Sequence, residues 1–290
     1  MTIDIGGGEP LLVFGGPYSN LRAMQALVLE AERLGIEPQR VICTGDVVAY
    51  GAEPVETVAL IRAWGCHVIK GNCEESLAER SGDCGCNFEE GSVCALLSKG
   101  WYPYADATIG DDERDWMNAL PASLTFQFGG RTFRVVHGGC REIARWVFQS
   151  QDGVLDEEIA LSGAEITIAG HAGLPFVARR DDGIWFNPGV IGMPANDGTP
   201  DGWYGIIAFD AATGGVTLST HRLGYENVAA AASMRRAGHA NEYARTLITG
   251  RWPSLDVLPE EERLATGREI SPVSLIVGER EPTAVTAARS

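Results

Sequence analysis

The chain has 290 residues, 45% of them hydrophobic and 21% charged, which is typical of a water-soluble globular protein. Its 39 acidic and 23 basic residues give a net charge of −16, which disfavours nonspecific binding to nucleic acids or anionic membranes. No apolar run approaches the roughly 20 residues that span a bilayer. The N-terminus also lacks the basic start and apolar centre of a signal peptide. Seven scattered cysteines indicate reduced thiols, so we expect a cytoplasmic protein.

Short apolar runs alternate with helical patterns over the first 70 residues. The spacing of apolar residues predicts helices at 21–34 and 54–64, the second beginning with a proline. Buried strands are predicted at 11–14, 41–44 and 67–70. Strands and helices that alternate with short connections are typical of a sheet covered by helices.

Residues 74–120 break this alternation and are predicted to form an insertion, a partial cap that begins with a cysteine-rich loop and is otherwise mostly helical. A run of strands follows, starting with a hairpin across Gly129 and Gly130. The further predicted strands lie in the segments ITIAGH, IWFNPGV, WYGIIAFD and GGVTLSTHRL.

The C-terminal part of the chain is predicted to be helical and then polar. Residues 226–249 have a helical pattern, which would complete one domain over residues 1–250. Residues 251–290 contain prolines and many polar residues, and the last 25 or so have little potential to join a core. We therefore expect a polar C-terminal tail.

Four separated apolar runs each lead into a polar residue that can bind a metal: Asp46, Asn72, His137 and His171. Each one has a glycine beside it, which allows the backbone to turn sharply. Taken singly, an Asp or Asn after a strand is usually a cap or turn residue, and a single His is usually a buried core residue. Together, a carboxylate, an amide and two imidazoles suit a divalent transition metal such as Mn²⁺, Fe²⁺, Zn²⁺ or Ni²⁺.

The order of these motifs resembles that of the calcineurin-like metallophosphoesterase superfamily, in particular small bacterial phosphodiesterases whose third motif reads GNCD. The resemblance covers residues 11–222 and implies an α/β fold, a four-layer α/β/β/α sandwich. In that family two metal ions share an aspartate and activate a bridging hydroxide that attacks phosphorus. The motifs of this chain are Gly45-Asp46, Gly71-Asn72-Cys73-Glu74, His137-Gly138, Gly170-His171 and Asn187-Pro188-Gly189.

The resemblance assigns the metal ligands of only one ion completely. Asp46 corresponds to the bridging aspartate, and Asn72, His137 and His171 correspond to the other ligands of that ion. The terminal ligands of the second ion are missing, because Gly16, Tyr18 and Gly173 stand where the family has an aspartate and two histidines.

Three residues are candidates for a catalytic role. Cys73 stands where most of the family has a catalytic histidine. Tyr18 offers a phenol that can donate to a substrate oxygen, or it simply fills space. Asp46 would hold the ion that activates the attacking water. We expect Cys73 or Tyr18 to border the leaving group.

Three hypotheses account for the missing ligands. A single ion can still support hydrolysis of a small phosphate monoester or diester. Alternatively, Cys84 and Cys86, with Asp83, replace the missing ligands, although their spacing is not that of a zinc knuckle and also fits plain thiols. The third hypothesis is a non-catalytic pseudoenzyme that keeps the fold as a binding or regulatory module.

The expected partner is a small phosphorylated substrate, with no nucleic acid and no membrane. At least one divalent ion is expected in the chain, whose sequence is also compatible with a homo-oligomer. Arg141 and Arg145 follow His137 and would either contact phosphate or remain solvated surface charges.

Overall fold

This computed structural model describes residues 1–86, 91–238 and 241–278. Short parts of the predicted insertion, of the predicted C-terminal helix and of the predicted tail lie outside these ranges. Within the described residues, no helix is both long enough and apolar enough to cross a membrane.

The described residues form two sheets and the helices that cover them. In chain order the strands are β1 (Leu11–Phe14), β2 (Val41–Cys43), β3 (His67–Val68), β4 (Leu124–Phe128), β5 (Arg131–Val135), β6 (Ile166–Ile168), β7 (Phe176–Arg180), β8 (Gly183–Asn187), β9 (Gly202–Asp210), β10 (Gly215–Leu223) and β11 (Ser274–Val277). The helices are α1 (Leu21–Leu34), α2 (Pro54–Trp64), α3 (Asn72–Glu79), α4 (Val93–Thr108), α5 (Asp111–Ala119), α6 (Asp152–Ser162), α7 (Asn227–Ala237), α8 (Asn241–Thr249) and α9 (Glu260–Leu264).

Each sheet contains a parallel segment that carries the predicted ligands. One sheet has the order β11-β10-β9-β1-β2-β3, in which β1, β2 and β3 are parallel. The other has the order β4-β5-β6-β8-β7, in which β5, β6 and β8 are parallel. Carboxyl ends of parallel strands meet at one edge of a sheet, which is where an α/β fold places its site.

Three layers of core hold the sheets and helices together. Between the sheets, Val13 and Leu218 of one sheet pack in a cluster with Phe133 and Phe186 of the other. On the outer face of the first sheet, residues of β1 and β2 pack in a second cluster with α1, α2, α7 and α8. On the opposite side, α6 packs against the second sheet through Leu155. The fold is therefore the α/β sandwich that the sequence predicted.

Local sequence explains where the first helix begins and ends. The Asn20 side chain accepts a hydrogen bond from the backbone N–H of Ala23 at 3.1 Å, which caps the start of α1. Gly35 ends α1 in the left-handed conformation, with φ of 68°. The predicted helices at 21–34 and 54–64 have the bounds of α1 and α2.

The C-terminal region differs from the prediction in two respects. Gly238, with φ of 77°, ends α7, so the predicted helix contains two helices, α7 and α8. Strand β11 pairs antiparallel with β10, so the described part of the predicted tail extends the first sheet. Leu258 is also buried, in a small cluster that includes Phe148. Strand β10 and Phe148 both lie far from these residues in the sequence, so no local pattern indicated the two contacts.

Candidate metal centre

The four predicted ligands follow the carboxyl ends of four parallel strands. Asp46 follows β2, and Asn72 follows β3 as the first residue of α3. His137 and His171 follow β5 and β6 in the other sheet. The two sheets thus contribute two side chains each, and all four are almost completely buried.

Polar atoms of these side chains converge on one point. The Nε2 atom of His137 lies 3.0 Å from Oδ1 of Asn72 and 3.0 Å from Nδ1 of His171. It lies 3.4 Å from Oδ1 of Asp46. Within the described residues, Asp46, His137 and His171 form the one group of three or more acidic, histidine or cysteine side chains able to share an ion.

These separations fit a divalent transition metal. Nitrogen and oxygen ligands bind such an ion at about 2.0–2.2 Å, so neighbouring ligand atoms around it stand about 3.0–3.5 Å apart. The three separations measured from His137 Nε2 fall in that range. Two imidazole nitrogens and two oxygens therefore lie close together. This set of donor atoms suits a divalent transition metal.

Hydrogen bonds outside this group orient two of the ligands. The Nδ1 atom of His137 lies 2.7 Å from the carbonyl oxygen of Thr44, which favours a hydrogen on Nδ1 and a lone pair on Nε2. The Nδ2 atom of Asn72 donates to the carbonyl oxygen of Cys84 at 2.7 Å, which turns Oδ1 towards the other ligands. When His137 is neutral, both atoms that face the centre are therefore acceptors, as an ion requires.

The pKa values of the two histidines are shifted in opposite directions. Burial, and then the neighbouring His137, lower the pKa of His171 to about 3, so its imidazole is neutral. Burial lowers the pKa of His137, but the charge of Asp46 and its hydrogen bond outweigh burial and raise that pKa overall. Burial raises the pKa of Asp46, and the attraction of His137 more than reverses this. Asp46 and His137 therefore favour each other's charged forms, and a bound metal would replace this attraction.

Glu74 is a buried residue that supports the centre, and the sequence placed it in a motif without predicting a role for it. Its carboxylate accepts hydrogen bonds from the backbone N–H groups of Asp46 at 2.7 Å, Val47 at 2.8 Å, Gly71 at 2.9 Å and Val48 at 3.2 Å. Burial and the nearby Asp46 carboxylate raise the pKa of Glu74 to about 7, although the N–H donors oppose this. Glu74 thus fixes the loop that presents Asp46.

Aromatic rings occupy the side of the centre where ligands of a second ion were missing. The Tyr18 ring lies over Gly16, whose φ is +41°, and a Cβ at position 16 would collide with the ring. Gly173 has φ of +70°, and a Cβ there would lie 3.6 Å from the Trp252 ring. The Tyr18 backbone N–H donates to the Asp46 carbonyl at 3.1 Å, and Tyr18 lines the same cavity as Asp46 and His171.

The cysteines of the predicted insertion contact Asn72. Both the Cys84 carbonyl and the Cys86 sulfur, at 3.2 Å, accept from the Asn72 amide nitrogen. Asp83 accepts from the Gly85 N–H within its own exposed loop. Cys73, also buried, has its sulfur 3.6 Å from the same Asn72 nitrogen. In the part of the chain that the structure describes, these cysteines therefore contact Asn72, Cys84 through its carbonyl and the others through sulfur, and none joins the group of Asp46 and the histidines.

The family is established by comparison with known proteins. The profile of the calcineurin-like phosphoesterase superfamily domain matches residues 19–211, about two thirds of the chain, and the protein belongs to this superfamily. An uncharacterized protein of Methanocaldococcus jannaschii is 25% identical over 182 residues, which cover 62% of this chain and 69% of that protein.

Two solved structures have a similar fold. A metallophosphoesterase from Sphaerobacter thermophilus has a TM-score of 0.66 and 22% identity, covering 84% of this chain and 100% of that one. A hypothetical protein from Pyrococcus horikoshii has a TM-score of 0.69 and 17% identity, covering 87% of this chain and 100% of that one. The superfamily and the fold predicted from the motifs are confirmed, and membership supports a hydrolase.

Proposed function

We propose that this protein is a metal-dependent phosphoesterase that hydrolyses a small phosphate monoester or diester. The observation that carries the proposal is the convergence of Asp46, Asn72, His137 and His171 within a phosphoesterase fold. A divalent ion bound there would polarise a phosphoryl oxygen and lower the pKa of water. Mn²⁺, Fe²⁺, Zn²⁺ and Ni²⁺ all suit this mixture of ligands.

The residues around the ion would then position the substrate and exclude water. Burial and the charge of Asp46 raise the pKa of Tyr18 well above its usual value, so its phenol stays protonated and can donate a hydrogen bond. A hydrogen bond with Cys86 lowers the pKa of Cys73, but burial and Asp46 outweigh it and raise that pKa strongly. A protonated thiol is a poor nucleophile, so Cys73 fits a role at the border of the site and not covalent catalysis.

Metal content and hydrolysis together test the proposal. The purified protein should contain about one transition metal per chain by elemental analysis, and His137→Ala should lose it. With Mn²⁺, Fe²⁺, Ni²⁺ or Zn²⁺ supplied separately, we expect release of 4-nitrophenolate from bis(4-nitrophenyl) phosphate or 4-nitrophenyl phosphate. The same release by His137→Ala would show that another site, or a contaminant, carries the activity.

The pseudoenzyme hypothesis is favoured by one specific observation, the replacement of three expected ligand positions by Gly16, Tyr18 and Gly173. It predicts a folded protein that hydrolyses neither ester with any of the four ions. Metal binding without hydrolysis would therefore favour a binding or regulatory role over the enzyme.

A further inference from the structure

A cavity with mostly apolar walls opens beside the metal centre. Asp46 and His171 line its inner end, and most of its other lining side chains are apolar or aromatic, as in many small-molecule sites. We call this cavity the aromatic chamber. Its defining side chains are Tyr18, Tyr50, Trp146, Met193, Tyr243 and Trp252.

Ring contacts and hydrogen bonds hold the walls in place. Tyr50 meets the Tyr18 ring edge-on, with 4.9 Å between centroids, and stacks on Tyr243 at 4.3 Å. Trp252 is fixed by two hydrogen bonds, from its indole N–H to the Pro194 carbonyl at 2.7 Å and from its backbone N–H to Asn196 at 2.9 Å. The chamber is therefore a preformed apolar site.

The chamber also lacks a cationic side chain. Among the described residues that line it there is no lysine and no arginine, and Asp46 is its one carboxylate. Arg145, a candidate phosphate contact from the sequence, instead makes ion pairs with Glu157 at 3.3 Å and Glu142 at 4.0 Å. Any positive charge at the inner end must come from the bound ion.

The charge at this centre favours a singly charged ligand. One divalent ion with the Asp46 carboxylate and three neutral ligands has a net charge of +1, and the buried Glu74 carboxylate behind Asp46 adds no further positive charge. A phosphodiester carries one negative charge, which balances it, whereas a phosphate monoester carries up to two. The second charge of a monoester would lie in an apolar site without a counter-charge, which is costly.

We propose, building on the proposed function, that the substrate is a phosphodiester with a single negative charge and an aromatic or similarly apolar ester group that binds in the aromatic chamber. Hydrolysis adds water across one P–O bond, so the products are a phosphate monoester and an alcohol or phenol. The phosphoryl group would lie at the inner end of the chamber, next to the ion that Asp46 and His171 help to hold. The apolar group would contact Tyr18, Trp146 and Trp252.

Non-hydrolysable probes test the ligand class separately from catalysis. Calorimetry at pH 8 on the Mn²⁺-loaded protein should show diphenylphosphinate binding at least about tenfold tighter than dimethylphosphinate, which has the same charge and little apolar surface. Phenylphosphonate, which has the ring and a second charge, should also bind at least about tenfold more weakly. Equal affinity for the two phosphinates, or tightest binding of phenylphosphonate, would overturn the proposal.

A matched pair of variants locates the binding site. Val257 lines the chamber and is half-buried, so a longer side chain there can reach solvent. Val257→Arg should lower the preference for diphenylphosphinate over phenylphosphonate about tenfold or more, because it adds a positive charge. Val257→Met, which keeps the wall apolar, should retain the preference. An unchanged preference in both variants would place the ligand elsewhere and overturn the proposal.

Hydrolysis distinguishes failure of this inference from failure of the proposed function. Phenyl 4-nitrophenyl phosphate should be cleaved faster than methyl 4-nitrophenyl phosphate, and both faster than 4-nitrophenyl phosphate. If all three are cleaved alike and the probes bind alike, the phosphoesterase remains and the substrate class is wrong. If the probes bind in the expected order but no ester is cleaved, the ligand class remains and the enzyme is wrong.

Discussion

The Nε2 atom of His137 lies 3.0 Å from the Nδ1 atom of His171, although the two residues belong to different strand ends. Both imidazoles are buried, and Nε2 of His171 has no hydrogen-bond partner among the described residues. Two ring nitrogens held this close, with Asp46 beside them, are better satisfied by a cation than by each other.

Removal of one imidazole should remove the metal. His171→Ala is expected to reduce the metal content from about one ion per chain to near zero, because three remaining ligands, one of them an amide, bind weakly. Elemental analysis after dialysis measures this. His67→Ala is the matched control. His67 lies on β3, forms a hydrogen bond with the Gln39 carbonyl and is not part of the group. Equal metal in both variants would exclude His171 as a ligand.

Metal affinity should depend on pH through His137. Burial lowers the pKa of His137, but attraction by Asp46 outweighs it and raises the pKa above its ordinary value, and a protonated imidazole cannot bind a metal. Below that pKa, each ion that binds must release a proton, so affinity should rise with pH, by up to about tenfold per pH unit, until His137 is neutral. His171, with a pKa of about 3, adds no dependence in this window. Calorimetry in two buffers of different ionisation enthalpy counts the protons, and a pH-independent affinity would contradict the assignment.

Glu74 should act on metal affinity through the loop that holds Asp46. In Glu74→Gln, an amide N–H₂ would face backbone donors, so we expect about 2 kcal/mol or more of lost stability and about 10–100-fold weaker metal binding. Urea unfolding and calorimetry measure the two effects. Glu75→Gln, one residue further along α3, is the control and should change neither quantity appreciably. Normal metal binding by Glu74→Gln would remove the positioning role.

Cys84 and Cys86 should be dispensable for metal binding. Because they contact Asn72 and lie outside the Asp46 group, the double variant Cys84→Ser/Cys86→Ser should keep about one ion per chain. Serine hydroxyls can replace the weak contacts of the sulfur, so the fold should persist. A loss of metal in this variant, measured beside Cys66→Ser, would instead support the hypothesis of replacement ligands.

Replacement of Gly16 by a larger residue should destabilise the protein because of the Tyr18 ring. Gly16→Ala meets both a positive φ and the ring, so we expect a loss of about 1–3 kcal/mol of stability. Gly35→Ala is a control with positive φ and open space, and it should cost less. In a Tyr18→Ala background, the penalty of Gly16→Ala should fall, giving a coupling of about 1 kcal/mol or more in a double-mutant cycle. Strictly additive effects would show that the ring and the glycine are independent.

Local patterns in the sequence were sufficient for the family, the sandwich and most of its elements. The ligand motifs each follow a short apolar run, and α1 and α2 carry their own start and stop residues. These features depend on residues within a few positions of each other. The sequence therefore determined which residues are the candidate ligands, and in what order.

Three elements with weak local patterns were missed. Strand β7 is a short edge strand with two arginines that pairs with the neighbouring β8, and α6 is weakly amphipathic. Strand β11 has only four residues and pairs with residues of β10 that lie 55 to 61 positions earlier. None of these has a strong pattern of its own, so tertiary pairing decides its conformation.

The tertiary structure alone decided what surrounds the candidate centre. Glu74 accepts hydrogen bonds from three backbone N–H groups that lie 26 to 28 residues before it in the sequence. No sequence motif predicts these contacts. Trp252 reaches Gly173 across 79 positions of the chain, and Tyr18 fills the space over Gly16 only because the backbone turns back there. The residue types at the strand ends can be identified from local sequence patterns. The shape and charge of a cavity depend instead on packing between segments that are far apart along the chain.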